Sequence, residues 1–193
     1  MNTASCAAPT PVTTLIAYWL GELDAAREAE LEEHFLGCEA CSERLHHLVE
    51  LGAGIGQAAR TGDVQAVLTE AFIRRLQASG VRVREYRLQP GGSVNCTVAP
   101  DDDLVVAHLC APLQEVQRLD MVVDDLTRSV HWRAQDVAFD PAANEVVMAP
   151  MMSELRQLTY ATLRVQLVAV DRVAERVIGD YTFNHSPYGA RPD

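Results

Sequence analysis

Apolar residues in this chain change their spacing near residue 80, from helical intervals before it to strand-like alternation after it. Asp24 is placed to cap a helix whose inward face carries Leu23, Leu31 and Phe35. Leu45, Leu48, Val49 and Leu51 give a third amphipathic helix after the short apolar run Leu15–Leu20, and the glycines at 52, 54 and 56 then predict a hinge. Asp63 is a suitable cap for a further helix reaching Ser79 and stopped by Gly80, with Val64, Val67, Leu68, Ala71, Phe72 and Leu76 in one stripe. From Val81 the pattern predicts a hairpin, 81–88 and 94–98 around Pro90-Gly91-Gly92. Further strands are expected at 103–109, 118–124, 130–134, 145–148, 161–170 and 177–184, with a short helix over 151–158. Many short strands without regular intervening helices predict an antiparallel β-sandwich or small barrel, so the class is α+β. The expected division is a helical module at 1–56, a linker with an amphipathic helix at 57–80, the β-domain at 81–187 and a tail at 188–193.

Chemistry concentrates at the end of the second helix. His34, Cys38 and Cys41 form an H-x3-C-x2-C cluster, and thiolates beside an imidazole suit a tetrahedral Zn²⁺ site. Gly37 stands where helices often end in a left-handed residue, a turn that would bring Cys38 back toward His34. Structural zinc takes four protein ligands, and Cys6 is the soft donor upstream; Pro9 and Pro11 separate it from the first helix. His46, His47 or water are the alternatives for the fourth position.

With the run Leu15–Leu23 ahead of it, this cluster resembles the zinc-containing anti-sigma domain of bacterial transcription regulators. Tyr18, Gly21, Glu22, Leu23, His34, Cys38 and Cys41 fall in register with that family's pattern, over about the first 50 residues. The resemblance implies a fourth ligand, Cys or His, just ahead of the first helix; Cys6 lies slightly further back than usual. It also implies that the protein holds a sigma factor inactive by covering its polymerase-binding surfaces. A fourth helix, loosely tethered to the zinc core, helps clamp the sigma factor in that family. The stripe of the 63–79 helix fits that role and equally fits packing on the chain's own β-domain. The other reading of the whole chain is a zinc-containing interaction or ligand-binding module with no sigma-factor partner.

Charge adds to this picture. The net charge is −11, and residues 1–50 hold nine carboxylates against two arginines. Such a surface disfavours nucleic acid and favours a basic protein partner. All sixteen basic residues are Arg. No early apolar run is long enough to span a bilayer, and the N-terminus lacks a signal-type core, so a cytoplasmic location is expected. In that compartment cysteines stay reduced, which favours metal ligation; oxidation of Cys6, Cys38 and Cys41 to a disulfide would expel the metal. His108, His131 and His185 stand singly and read as structural, as do Cys96 and Cys110. Asp101-Asp102-Asp103 reads as a solvated turn, with calcium binding the lesser alternative. The His-x-His and Glu pattern of the metal-binding cupins found in some zinc anti-sigma proteins is missing, and no catalytic constellation is legible, so no enzyme is expected.

Overall fold

The structure is a computed structural model that describes residues 6, 8–62, 65–171 and 174–190. Helix α1 (Val12–Leu20) ends at Gly21, whose φ of 72° is open to glycine at little cost. The Gly21 and Glu22 amides close that end on the Tyr18 and Ala17 carbonyls, at 3.0 and 2.9 Å. Helix α2 (Ala25–Gly37) is capped by Asp24, which accepts from the Arg27 amide at 2.9 Å, as its sequence predicts. Its far end differs from expectation. Gly37 is helical, and the break falls at Cys38, whose extended backbone (φ −134°, ψ 93°) both ends α2 and opens helix α3 (Glu39–Thr61).

Helix α3 runs through the three glycines without a hinge. Packing explains this: Gly52 and Gly56 are buried, and a Cβ at Gly52 would overlap the outer edge of the Trp19 ring. Trp19 in turn lies against Phe72 (ring centroids 5.8 Å apart) and under the Arg75 guanidinium (5.5 Å). The close approach of these helices outweighs the cost of about 1 kcal/mol that a glycine carries in a helix. Gly52→Leu is therefore expected to destabilise the protein by about 2 kcal/mol, read as a lower denaturant midpoint at unchanged m-value. An unchanged or raised midpoint would show that Trp19 does not rest on this helix.

The fourth predicted helix is shorter than its stripe. Asp63 and Val64 lie outside the described residues, Ala66–Leu68 forms strand β1, and helix α4 spans Glu70–Ala78. Thr69 caps it by accepting from the Phe72 amide at 3.2 Å. Beyond the left-handed Gly80 come β2 (Val83–Leu88), β3 (Ser93–Cys96), β4 (Leu104–Cys110), β5 (Arg118–Asp125), β6 (Val130–Ala134) and β7 (Glu145–Ala149). Helix α5 (Met152–Leu155), β8 (Ala161–Val170) and β9 (Glu175–His185) complete the order.

Among the described residues these strands form two sheets, ordered β1-β7-β4-β2 and β3-β9-β8-β5-β6. The class is α+β, as the sequence implies. Most pairings are antiparallel, but β2–β4 and β3–β9 are parallel, so the sheets are mixed. The expected hairpin is absent for the same reason. The turn at Gly91 carries the chain from one sheet to the other, and β9 holds it there: the Gly91 amide donates to Asp180 and the Thr182 amide to Gly92.

Burial on both faces of β4 ties the two halves of the chain together. Val105, Ala107 and Leu109 face the second sheet, while Leu104 and Val106 join Ala59, Ile73 and Leu76 beneath α3 and α4. The apolar stripe of α4 thus packs on the protein's own β-domain.

Candidate metal centre

The break at Cys38 positions the centre. Ser42 Oγ donates to the carbonyls of Phe35 (2.9 Å) and Cys38 (3.1 Å), bracing the corner between α2 and α3. Cys38 is the cap of α3 and Cys41 lies in its first turn, so both sulfurs sit at the N-terminal, positive end of that helix. His34 reaches in from the last turn of α2. Across α1, Tyr18 packs edge-on against Phe35 with ring centroids 5.4 Å apart.

The N-terminal lead supplies a fourth donor. Arg44 donates to the Thr10 carbonyl at 2.7 Å, and Thr10 is buried against the corner. Cys6 Sγ lies 3.7 Å from His34 Nε2, and the donor atoms of Cys6, His34, Cys38 and Cys41 all fall within 4.8 Å of one another. A tetrahedral zinc with Zn–S near 2.3 Å sets its sulfurs about 3.8 Å apart, so the four donors fit a slightly relaxed cage of that size. His46 and His47 stand outside this group; His46 faces Glu50 at 3.3 Å on the exposed side of α3.

The thiols are electrostatically unequal. Cys41 is held down to about 6, first by the Thr10 backbone N–H, against the opposing effect of burial, with His34, the Thr10 hydroxyl and Cys38 adding to the lowering. Cys6 moves the other way: the Ala8 N–H lowers it, but the Cys38 and Cys41 thiols and burial together leave it raised. Cys41 therefore becomes a thiolate at lower pH than Cys6. Thr10, the largest cause of the lowering at Cys41, is invisible to spacing arguments because it acts mainly through its backbone amide, and Arg44 only holds its carbonyl.

The scattered histidines are elsewhere. His108 is buried between Glu85 (3.1 Å) and Glu145 (3.2 Å), His131 pairs with Asp124 at 2.6 Å on the surface, and His185 lies near Cys96 at 4.0 Å. Asp102 binds Arg84, and Asp103 and Asp101 face Arg82 at 3.0 and 3.9 Å, so all three carboxylates of the acidic turn hold ion pairs within the chain.

Residues 14–42 match the sequence model of the family described as "Putative zinc-finger". The matched segment contains His34, Cys38 and Cys41, leaves Cys6 just outside, and ends ahead of every β-strand. No curated protein matches the chain. Among the described residues no helix is long and apolar enough to cross a membrane.

Proposed function

We propose that the helical head binds one zinc ion through Cys6, His34, Cys38 and Cys41 and holds a bacterial sigma factor inactive. The observation that carries this reading is the convergence of three sulfurs and an imidazole on one point, with His34, Cys38 and Cys41 from a segment of zinc-finger type and Cys6 from the N-terminal lead ahead of it. Zinc fingers of this type are characteristic of zinc anti-sigma factors. With four protein donors the ion has no open position for a substrate, so its role is structural and the protein acts by binding rather than catalysis.

The surface of the head supports a protein partner. Val12, Ile16, Val49 and Leu51 are exposed on α1 and α3, and Leu36 at the end of α2 is 91% exposed. They sit amid the nine carboxylates of the first 50 residues. Apolar anchors set in an acidic field suit a basic helical partner. Because the α4 stripe is buried in-chain, α1–α3 would supply the sigma-binding face, and the β-domain would brace it through α4 and respond to a signal.

Co-expression with candidate sigma factors, followed by pull-down and metal analysis, tests the reading. A stoichiometric complex containing zinc is expected, and one assembled at low salt should weaken as ionic strength rises, because exposed charges are screened. If the zinc-loaded protein captures no sigma factor, the second reading stands in its place, a zinc-containing interaction or ligand-binding module. The cavity between the two sheets fits that alternative and a sensing role for the β-domain alike.

A further inference from the structure

The two sheets do not fill the space between them evenly. At one end Val105 and Ala107 on β4, Val123 on β5 and Val165 on β8 face one another with short side chains. That end encloses a cavity of about 770 Å³ that opens past α5. Tyr86, Trp132, Met148 and Phe183 form its apolar walls. This volume falls within the usual range of small-molecule sites, roughly 300–1,000 Å³.

Its charged lining residues, Asp125, Arg128 and Glu154, stand at the rim, and the polar groups deeper in are few. Tyr86 Oη donates to the Thr97 carbonyl (2.8 Å) and accepts from the Thr97 amide (3.0 Å), which locks the backbone there. The Thr97 hydroxyl oxygen is buried and has no hydrogen-bond partner among the described residues. Cys96 and His185 stand beside it. Burial pushes the Cys96 thiol up to about 11 and moves His185 below its ordinary value, so both are neutral. At the rim, Asp125 and Arg128 offset each other at 3.8 Å.

We propose that this cavity binds a largely apolar, uncharged organic molecule whose single hydroxyl or carbonyl group engages the Thr97 hydroxyl. An apolar wall with one unpaired buried hydroxyl suits such a ligand, since a charged group held below the rim residues Asp125, Arg128 and Glu154 would be desolvated without a counter-ion. The site does not depend on what the helical head binds. It is nonetheless joined to the head, because the Ser153 amide in α5 donates to the Gly62 carbonyl at the end of α3 (3.2 Å).

The probe is N-phenyl-1-naphthylamine, a neutral dye that brightens in apolar surroundings, titrated into the full-length protein. Saturable binding of one dye per chain is expected. Ala107→Phe and Leu163→Trp, which fill the cavity from opposite sheets, should each weaken it by about tenfold or more without altering metal content. 1-Decanol should displace the dye less effectively from Thr97→Val than from the unaltered protein. Hydrogen exchange on the unaltered protein should slow in α5 and β8 when dye is bound, which locates the site even if a filling variant fails to fold. Absence of saturable binding, or binding that leaves exchange in α5 and β8 unchanged and survives both filling substitutions, would overturn the proposal. Equal displacement by decanol from both proteins would remove the Thr97 anchor from it.

Discussion

Serine at Cys41 is expected to abolish zinc retention and to melt the head formed by α1–α3. Cys41 is fully buried at the corner where Thr10, His34 and Cys38 meet, so no outside group can replace its sulfur. Binding of structural zinc is worth about 10–16 kcal/mol in zinc-finger peptides. A protein segment of this size carries only about 0.05–0.15 kcal/mol of net stability per residue, so the metal term decides whether the head is folded. Elemental analysis should show less than about a tenth of the parent zinc content, a loss of tenfold in occupancy or roughly 1.4 kcal/mol at the least. Far-ultraviolet circular dichroism should lose helical signal, and any sigma-factor capture should disappear with it. Cys6→Ser should be milder, weakening zinc binding while leaving the head folded at excess metal, because Cys6 is held only through the N-terminal lead. Cys110→Ser, on β4 and far from the cluster in the chain, should leave zinc content unchanged. Acid should act in the same direction as Cys41→Ser, since protons compete for every donor and zinc affinity falls with pH. Full zinc retention by Cys41→Ser would exclude this cluster as the metal centre.

Sequence patterning revealed the elements of this fold more readily than their partners. Every predicted strand from 81 to 184 has a counterpart within a few residues, because β9 alternates over one buried face and β4 and β7 are short apolar runs buried on both. Pairing was hidden: β2 and β3 flank a turn that reads as a hairpin, yet β2 pairs in parallel with β4 and β3 with the distant β9. The glycines of α3 misled for a related reason. Glycine signals backbone freedom locally, whereas here Gly52 makes room for Trp19, thirty-odd residues earlier. At the metal centre the His34–Cys38–Cys41 spacing pointed to the cluster, since it lies within two consecutive helical turns, and the structure places Cys6 beside it. The cavity left no trace in the sequence. Val105, Ala107, Val123 and Val165 look like ordinary core positions until the sheets are stacked and these four prove to line one space.

Removal of one buried carboxylate should have the other large effect. Asp120 on β5 has no solvent exposure, yet it lies on the face of the sheet turned away from the central core. It accepts from Arg133 Nε (2.8 Å) and from the Asp136 amide (3.0 Å), and Arg118 approaches at 3.3 Å. Arg133 also grips Glu175 through two bonds of 3.0 and 2.8 Å, so Asp120 is the hub joining β5, β6, β9 and the loop at Asp136. Burial opposes its ionisation most strongly, but the Asp136 N–H, Arg133 and Arg118 together outweigh burial and hold its carboxyl below the ordinary value. Asp120→Ala is expected to cost about 3 kcal/mol, the lower end for breaking a buried pair, since Arg133 keeps Glu175. Because its folded pKa lies below the unfolded value near 3.9, Asp120 contributes its full stabilisation above that pH. The contribution falls away as acid carries the protein down through the folded pKa, so the gap between parent and variant should narrow below about pH 4. Asp180→Ala is the contrasting case: its pair with Arg164 is partly exposed, and the loss should be about 0.5 kcal/mol or less. Urea midpoints at pH 7 and pH 3 distinguish the two. An equal, small loss in both variants would show that burial, and not the number of bonds at Asp120, had been misjudged.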